Sequence, residues 1–349
     1  MSERNLARAI EALRPLDEAA RASARAHHEL LTKPPGSLGA LEALGAQLAA
    51  ISGVCPPPVP RSPAVAVFAA DHGVAGAGVT MWPQDVTAHM VANFVAGGAA
   101  INALARQVGA SVHVIDVGVA AELREQPAVR HHKVRPGTDN LADGPAMTRD
   151  DALAALDAGA RVAAELTGDG HDLLVTGDMG IGNTTAAAAL VAVLCDRAPA
   201  AVTGPGAGSD PATVARKTAV VAGAAERARC LDDPVAVLAE VGGLEIAAIA
   251  GFVVAGAAAR VPVVVDGVIT LAGLAVAEAL APGVAAHCVA GHRSPEPGAG
   301  AVLDHLGLDP LIDLGLRLGE GTGGCLAVPI VQSAARVLGE MATFADLGA

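Results

Sequence analysis

Five runs of mainly apolar residues recur along the middle of the chain. The runs occupy residues 64–70, 111–117, 172–176, 262–266 and 285–290. A strand that is covered by helices on both faces has this continuous apolar pattern, whereas a strand with one face in solvent alternates apolar and polar positions. The five runs therefore predict a parallel sheet that is buried between two layers of helices.

Longer segments between these runs have the three-to-four-residue periodicity of helices. They predict helices at residues 84–108, 149–166, 184–195, 211–230, 243–259 and 268–281, and a last helix near 322–342. Thr148 and Asp151 have the spacing of a capping box at the start of the second of these helices. Strands and helices that alternate in this way indicate an α/β fold with a doubly wound, mainly parallel sheet.

The first 60 residues have a different pattern. Helical periodicity covers residues 3–52 with an interruption at Pro15, and the proline-rich stretch 55–63 can be neither helix nor inner strand. We therefore predict a domain boundary near residue 60, and we expect the last helix to return to the N-terminal part. The predicted domains are a small helical domain from both chain ends, residues 1–60 and 321–349, and a large α/β domain, residues 61–320.

Composition narrows the class of protein. The chain has 349 residues, of which 52% are hydrophobic and 17% charged, and its net charge is -13. An acidic chain of this kind disfavours nucleic acid or an anionic membrane as a partner. The apolar run 246–259 is shorter than the ~20 residues that a membrane span requires. The five cysteines include no CxxC pair and no secretory signal is evident, so we expect a soluble cytoplasmic protein with reduced thiols.

A glycine-rich loop follows the third predicted strand. Gly177, Gly180 and Gly182 let backbone amides approach an anion, and Asn183 and Thr184 add donors at the start of a helix. Asn183 stands where the P-loop of nucleoside triphosphatases has lysine, which argues against ATP hydrolysis. The loop is interpreted as a phosphate cradle, and the alternative is a glycine turn that serves only chain reversal.

Two further loops have the composition of anion sites. Gly204, Gly206 and Gly208 precede a helix for which Asp210 is the predicted N-cap and Pro211 the first residue. Lys217 in that helix is a candidate to reach the same crevice, although a solvated helix residue is the alternative. In the third loop Arg293 and Ser294 follow the last predicted strand, and the arginine fork suits phosphate. Together these loops predict one nucleotide site.

Two residues are candidates for chemistry on a flat ring. Glu320 lies between Gly319 and Gly321, where partial burial would raise its pKa towards that of a general base, although an exposed turn glutamate is an equal alternative. Trp82 is the only tryptophan and is a candidate wall for a heteroaromatic ligand, or simply a cover for the core. Asp71 and His72 lack a third ligand at a suitable spacing, so no metal is expected.

Seven motifs in order resemble the nicotinate-nucleotide–dimethylbenzimidazole phosphoribosyltransferase family of cobalamin synthesis. They are KPPGSLG at 33–39, ADHGV at 70–74, PQDVT at 83–87, GDMGIGNTT at 177–185, GPGAG at 204–208, AGHRSPEPG at 290–298 and LGEGTGG at 318–324. The resemblance covers nearly the whole chain. It implies a large Rossmann-like α/β domain, a small helical domain from both termini, and a homodimer.

The resemblance also implies a reaction. Nicotinate mononucleotide and 5,6-dimethylbenzimidazole would give nicotinate and α-ribazole 5'-phosphate, with inversion at C1'. We expect no cofactor or metal. Glu320 would be the catalytic base, and Asp178 and Lys217 would belong to the active site, with Asp178 standing where the family pattern has glutamate. Trp82, Gln84 and Leu318 fall in the base-binding region. The alternatives are transfer to another base, such as adenine, other benzimidazoles or phenols, and a non-catalytic nucleotide- or azole-binding homologue.

Overall fold

The computed structural model describes residues 4–123 and 126–348, so residue 3, where the predicted helical segment starts, lies outside the described residues. The described residues form one six-stranded sheet. Its strands are β1 (Pro63–Ala70), β2 (Ser111–Gly118), β3 (Val129–His131), β4 (Leu173–Met179), β5 (Val263–Val265) and β6 (Cys288–Ala290). All neighbouring strands are parallel, in the order β3-β2-β1-β4-β5-β6. This confirms the predicted doubly wound α/β class.

Helices account for most of the remaining described residues. They are α1 (Arg4–Ala12), α2 (Glu18–Leu30), α3 (Ala40–Ser52), α4 (Val86–Ala96), α5 (Ala100–Val108), α6 (Arg149–Gly168), α7 (Asn183–Leu194), α8 (Pro199–Val202), α9 (Pro211–Ala228), α10 (Pro234–Val241), α11 (Leu244–Ala258), α12 (Val268–Leu280), α13 (Pro297–Leu306) and α14 (Thr322–Glu340). The predicted capping box at the start of α6 is confirmed, because the Thr148 side chain accepts from the Asp151 amide and Asp151 returns the bond.

The sheet has a hydrophobic core on each face. Ala66 and Phe68 of β1 point into a core that includes α6, α7, α11 and α12, where the rings of Phe68 and Phe252 meet edge to face at 5.3 Å. Val65 and Val67 of the same strand point into the second core, with α3, α4, α5 and α14. Because both faces of β1 are buried, the strand shows no polar alternation in its sequence.

Two predicted elements differ in kind from the observed ones, and the sequence patterns did not predict β3, α8, α10 and α13. The helix predicted over 84–108 is two helices, because Gly97 adopts φ 78 and ends α4. In the strand predicted over 285–290, a 3-10 helix (Val284–His287) replaces the first half and only Cys288–Ala290 is extended. β3 was missed because it has only three residues, two of them polar.

The stretch Val86–Val108 is longer than the apolar run considered above. It has 23 residues and contains an 18-residue window of mean hydropathy 1.3, so by length and composition alone it is sufficient to cross a membrane. The left-handed Gly97 divides the stretch into α4 and α5. Neither half is long enough to span ~30 Å of hydrocarbon by itself.

The two ends of the chain meet. The Thr32 amide donates to the Ala342 carbonyl, and the Phe344 amide donates to the Leu30 carbonyl. Helix α14 packs against α3 and also against α5 and β4, whereas α1 packs against α6 and α11. The division into domains at residues 60 and 320 stays a prediction.

Candidate active site

A cavity of about 130 Å³ opens at the carboxyl ends of β4, β5 and β6. In doubly wound sheets this edge binds ligands, because loops and helix starts converge there. The loops after β4, β5 and β6 line the cavity, together with the loop before α9 and the segment before α14. Its polar and charged lining side chains are Asp178, Asn183, Thr184, His292, Ser294, Glu296 and Arg317.

The first glycine loop forms one wall of the cavity. β4 extends further than predicted, so that Gly177 belongs to the strand, and a Cβ there would meet the Glu320 carbonyl oxygen at 2.6 Å. At Gly180 a Cβ would meet the Ala70 carbonyl oxygen at 2.4 Å. Gly182 is the left-handed N-cap of α7, with φ 96. The glycines thus bring backbones together, and they put Asn183 at the cavity on the first turn of α7.

The second glycine loop is held by an acid that the sequence reasoning missed. The Gly206 amide donates to Glu296 Oε1 at 2.8 Å, and a Cβ on Gly204 would lie 2.3 Å from Glu296 Oε2. Gly206 lines the cavity, whereas Gly204 and Gly208 do not. The signal was available, because Glu296 lies in the third loop only two residues after Ser294.

Lys217 connects the two glycine loops. Its side chain is 1% exposed, and Nζ donates to Thr184 Oγ1 at 2.7 Å and to the Gly204 carbonyl at 3.1 Å. The alternative of a solvated helix residue is therefore wrong. Burial lowers the pKa of the amine to about 8, although the negative charge of Glu296 opposes this. The predicted cap of its helix is confirmed, since Asp210 accepts from the Thr213 amide.

Glu320 is buried beside the cavity wall. It is 4% exposed, so the alternative of an exposed turn glutamate is wrong. Its backbone is left-handed, with φ 64, between Gly319 at φ 82 and Gly321 at φ 88. One carboxylate oxygen accepts from the Ile101 amide at 3.2 Å, at the start of α5. Burial raises the pKa of Glu320, and Asp266 raises it further against the effect of the Ile101 bond.

Asp178 and Glu320 are neighbours through the backbone. The Glu320 amide donates to the Asp178 carbonyl at 3.3 Å. Asp178 is 6% exposed and its Oδ2 accepts from Asn183 at 3.0 Å, whereas Oδ1 has no partner among the described residues. Burial raises the pKa of Asp178 well above its ordinary value, and Asp266 and Glu245 raise it further. A raised pKa favours the protonated, neutral form of Asp178 at the cavity wall.

A second missed acid, Asp266, follows β5. Its carboxylate accepts from the Gly321 amide at 3.2 Å and from the Gly324 amide at 2.8 Å, and His292 Nε2 lies 3.4 Å from it. Burial raises the pKa of Asp266, whereas His292 and the backbone bonds lower it. The sequence feature that could have pointed to Asp266 is its position as an acid at the carboxyl end of a predicted strand.

The structure brings some predicted ligand-binding residues to the cavity and leaves others outside it. Ser294 and Leu318 line the cavity, whereas the exposed Arg293 and Gln84 do not. Trp82 is 51% exposed and its indole N–H donates to the Ala207 carbonyl at 3.4 Å, which fixes it on the second glycine loop.

Arg317 is the cationic side chain that sequence reasoning overlooked at the cavity. It lines the cavity and donates to the Gly206 carbonyl at 3.4 Å. Its position three residues before Glu320 was the available signal.

A further buried pair lies behind the first glycine loop. His72 Nε2 is 2.7 Å from Glu245 Oε1, and both side chains are fully buried. Burial alone would lower the pKa of His72. The negative charges of Glu245 and Asp71 outweigh this effect, so the pKa is raised. A Cβ on Gly180 would lie 3.4 Å from the imidazole, so the pair supports the loop. In the described part of the chain, no three His, Cys, Asp or Glu side chains form a group suited to a metal ion.

Comparison with known proteins identifies the family. A phosphoribosyltransferase family profile matches residues 13–348. A nicotinate-nucleotide–dimethylbenzimidazole phosphoribosyltransferase of Salinispora tropica is 53% identical over 358 residues, covering 98% of each chain, and one of Mycobacterium bovis is 52% identical over 334 residues, covering 95% of this chain and 92% of the relative. The crystal structure of CobT from Thermus thermophilus superposes with a TM-score of 0.92 at 49% identity, covering 95% of this chain and 98% of the other. The chain therefore belongs to the nicotinate-nucleotide–dimethylbenzimidazole phosphoribosyltransferase family and is an enzyme of pentosyl transfer.

Proposed function

We propose that the enzyme transfers the phosphoribosyl group of nicotinate mononucleotide to 5,6-dimethylbenzimidazole. The products are α-ribazole 5'-phosphate and nicotinate. The names of the relatives support these substrates. One structural observation carries the mechanism: Glu320 is a buried carboxyl of raised pKa beside the wall of a cavity that two glycine loops line.

The chemistry requires a single base. One benzimidazole nitrogen attacks C1' of the ribose, while Glu320 accepts the proton from the other ring nitrogen. The bond between C1' and the pyridinium nitrogen breaks, and its electron pair stays on that nitrogen, so nicotinate leaves with a neutral ring and needs no acid. Attack from the face opposite the leaving group inverts C1' and converts a β-nucleotide into an α-riboside. Positioning and general-base catalysis are sufficient for this step.

Donors around the cavity suit the nucleotide. We assign the phosphate to the α7 start with Asn183 and Thr184, to Ser294, and to the two cations Lys217 and Arg317. A helix start and charged donors both favour an anion, and the net charge of -13 makes such local cations necessary.

Asp178 suits the ribose. Its raised pKa favours the protonated form, and its Oδ1 has no partner among the described residues, so we assign Asp178 a hydrogen bond to a ribose hydroxyl group.

The base site is assigned to the apolar side of the cavity. Leu318 lines it, and Trp82 stands on the adjoining second glycine loop. We keep Gln84 as a proposed base-binding residue and Arg293 as a proposed phosphate contact. In Trp82→Ala, a KM for the benzimidazole that equals the wild-type value would remove the stacking role of this side chain.

The decisive experiment is turnover with defined substrates. The protein is incubated with nicotinate mononucleotide and a panel of bases in the presence of a metal chelator, and products are identified by mass. We expect 5,6-dimethylbenzimidazole to be used, with release of one nicotinate per riboside. Nucleotide binding without nicotinate release would favour the non-catalytic homologue, and preference for adenine or a phenol would change the acceptor but not the donor.

The variant Glu320→Gln tests the base. We expect kcat to fall at least ~100-fold because the amide cannot take the proton, while the affinity for nicotinate mononucleotide stays within about threefold. Calorimetric titration measures the binding. Joint loss of binding and turnover would mean that Glu320 is structural.

We also infer that the enzyme works as a homodimer in the cytoplasm. The family resemblance supports the dimer, and five cysteines without a disulfide support a reducing compartment. Light scattering after size exclusion tests the dimer, and thiol titration of protein from cell extract tests the redox state.

A further inference from the structure

The loop that carries Glu320 has an unfavourable backbone. Three successive residues, Gly319, Glu320 and Gly321, have positive φ, and glutamate has no local side-chain bond that would reward this conformation. A left-handed residue with a Cβ costs ~1–2 kcal/mol. Surrounding structure must therefore hold Glu320 in place.

Asp266 supplies that restraint from another part of the fold. Its two oxygens accept from the Gly321 and Gly324 amides at 3.2 and 2.8 Å, and these residues flank the start of α14. The N-cap of α14 is a glycine, which provides no side-chain cap of its own. Asp266 thus acts as the cap that α14 lacks, and it fixes the residue directly after Glu320.

His292 completes the arrangement on the cavity side. Its Nε2 lies 3.4 Å from Asp266 Oδ1, its ring packs where a Cβ on Gly323 would come within 2.1 Å, and it lines the cavity. The imidazole is the only basic side chain at ion-pair distance from Asp266 among the described residues. Asp266 therefore lies between a ligand-facing histidine and the Glu320 loop.

We propose that Asp266, supported by His292, is a positioning residue that holds Glu320 in the orientation required for proton transfer. The inference rests on the proposed role of Glu320 as the general base. Asp266 is 1% exposed and does not line the cavity, so it acts through the backbone of residues 321–324 and not on the substrates.

The chain contains a matched control for Asp266. Asp157 is also a buried carboxylate that accepts from backbone amides at the start of a helix. Its partners are the Asn5 and Leu6 amides of α1, at 2.8 and 3.1 Å. It lies in α6 and links this helix to the start of α1. Asp157→Asn and Asp266→Asn therefore disturb the same kind of bond, but only the second change is adjacent to Glu320.

The test is a double-mutant cycle between positions 266 and 320. We expect Asp266→Asn to lower kcat at least ~10-fold, with the KM for nicotinate mononucleotide within about threefold, because a displaced base loses rate and not nucleotide binding. In the Glu320→Gln background, Asp266→Asn should produce no further loss, since it acts through the missing carboxylate. Asp157→Asn should lower the melting temperature and leave kcat unchanged.

Different failures point to different proposals. An unchanged kcat in Glu320→Gln would overturn the proposed base, whatever Asp266 does. A large loss in Glu320→Gln, with an unchanged kcat in Asp266→Asn, or with equal losses from Asp266→Asn in both backgrounds, would overturn only the positioning role.

A second pair of variants applies if Asp266→Asn does not fold. His292→Gln keeps an amide nitrogen near the position of Nε2, whereas His292→Asn withdraws it from Asp266. We expect kcat to be lower in His292→Asn than in His292→Gln, with the difference disappearing in the Glu320→Gln background. Equal kcat values in the two histidine variants would overturn the support that His292 gives to Asp266.

Discussion

Two buried lysines, one in the helical N-terminal region and one beside the cavity, have opposite surroundings. Lys33 forms an ion pair of 2.7 Å with Glu42, and its side chain is 5% exposed. Lys217 is buried as deeply, but its two hydrogen-bond acceptors, Thr184 Oγ1 and the Gly204 carbonyl, are neutral. Lys33 is therefore paired directly with a carboxylate, whereas Lys217 donates to neutral oxygens and has the negative charge of Glu296 only nearby.

The different surroundings also act on stability. Lys33 holds the pKa of Glu42 below its ordinary value through their hydrogen bond, so this pair stabilises the folded chain. Burial of Lys217 costs free energy, which the lowered pKa reports. A costly buried charge at a cavity is typical of a functional residue, whereas a satisfied pair is typical of a structural link.

The largest expected effect comes from removing the cation at the cavity. We expect Lys217→Met to lower kcat/KM for nicotinate mononucleotide at least ~100-fold, because one charged donor to the phosphate is lost. The melting temperature should fall less than in Lys33→Met, since the oxygens that Lys217 bonds directly are neutral. A wild-type kcat/KM in this variant would end the distinction between the two lysines.

The reciprocal change is Lys33→Met. We expect the free energy of unfolding to fall by about 2 kcal/mol, because Glu42 loses its buried partner but keeps 14% of its side chain exposed. Urea denaturation measures this loss. The kinetic constants should match the wild type, and a change in KM for the nucleotide would show that Lys33 also serves the substrate.

The pH dependence should separate activity from stability at Lys217. Its amine loses its proton above a pKa of about 8, so kcat/KM for the nucleotide should fall by up to tenfold per pH unit above that value.

Stability should change in the opposite direction. Between about pH 8 and 10.5 the unfolded amine binds a proton that the folded amine has released, so the contribution of Lys217 to the unfolding free energy rises with pH. Buried thiols make the unfolding free energy fall as the pH rises, since burial raises the pKa of Cys195 to about 11. The measurement is therefore the difference between wild type and Lys217→Met in denaturation at several pH values, and a flat difference would contradict the lowered pKa.

The smallest expected effect concerns the hydroxyl that orients Lys217. Thr184→Val removes one acceptor of the amine and one donor at the cavity, and we expect the KM for nicotinate mononucleotide to rise about fivefold. Thr185→Val is the matched control, because the Thr185 hydroxyl is buried and has no partner among the described residues. Similar KM changes in the two variants would show that Thr184 has no specific contact with Lys217 that matters for binding.

Local patterns predicted much of the fold for a physical reason. The run 64–70 is β1 almost to the residue, because a strand buried on both faces has no other pattern. Asp210 and Pro211 begin α9 as predicted, because capping is decided by neighbours in sequence. Elements whose pattern is short or mixed were wrong, as at residues 285–287, where a 3-10 helix replaces the start of the predicted strand.

The candidate site was predicted less completely. Glu320, Asp178 and Lys217 were found through glycine loops and family motifs, since both are local features. Glu296 was missed because its role depends on a glycine amide 90 residues earlier in the chain. Asp266 was missed for the same reason, since its partners Gly321 and Gly324 are reached only when β5 lies beside β4 in the sheet.

By itself the sequence determined the class of fold, the positions of the glycine-rich loops and the family, because each depends on residues close together along the chain. Only the tertiary structure decided which charges are compensated. It buries Lys33 against Glu42 and Lys217 against neutral oxygens, and it turns Arg317 rather than Arg293 towards the cavity. Burial and pairing depend on how strands are ordered in the sheet, and the pKa values follow from that order.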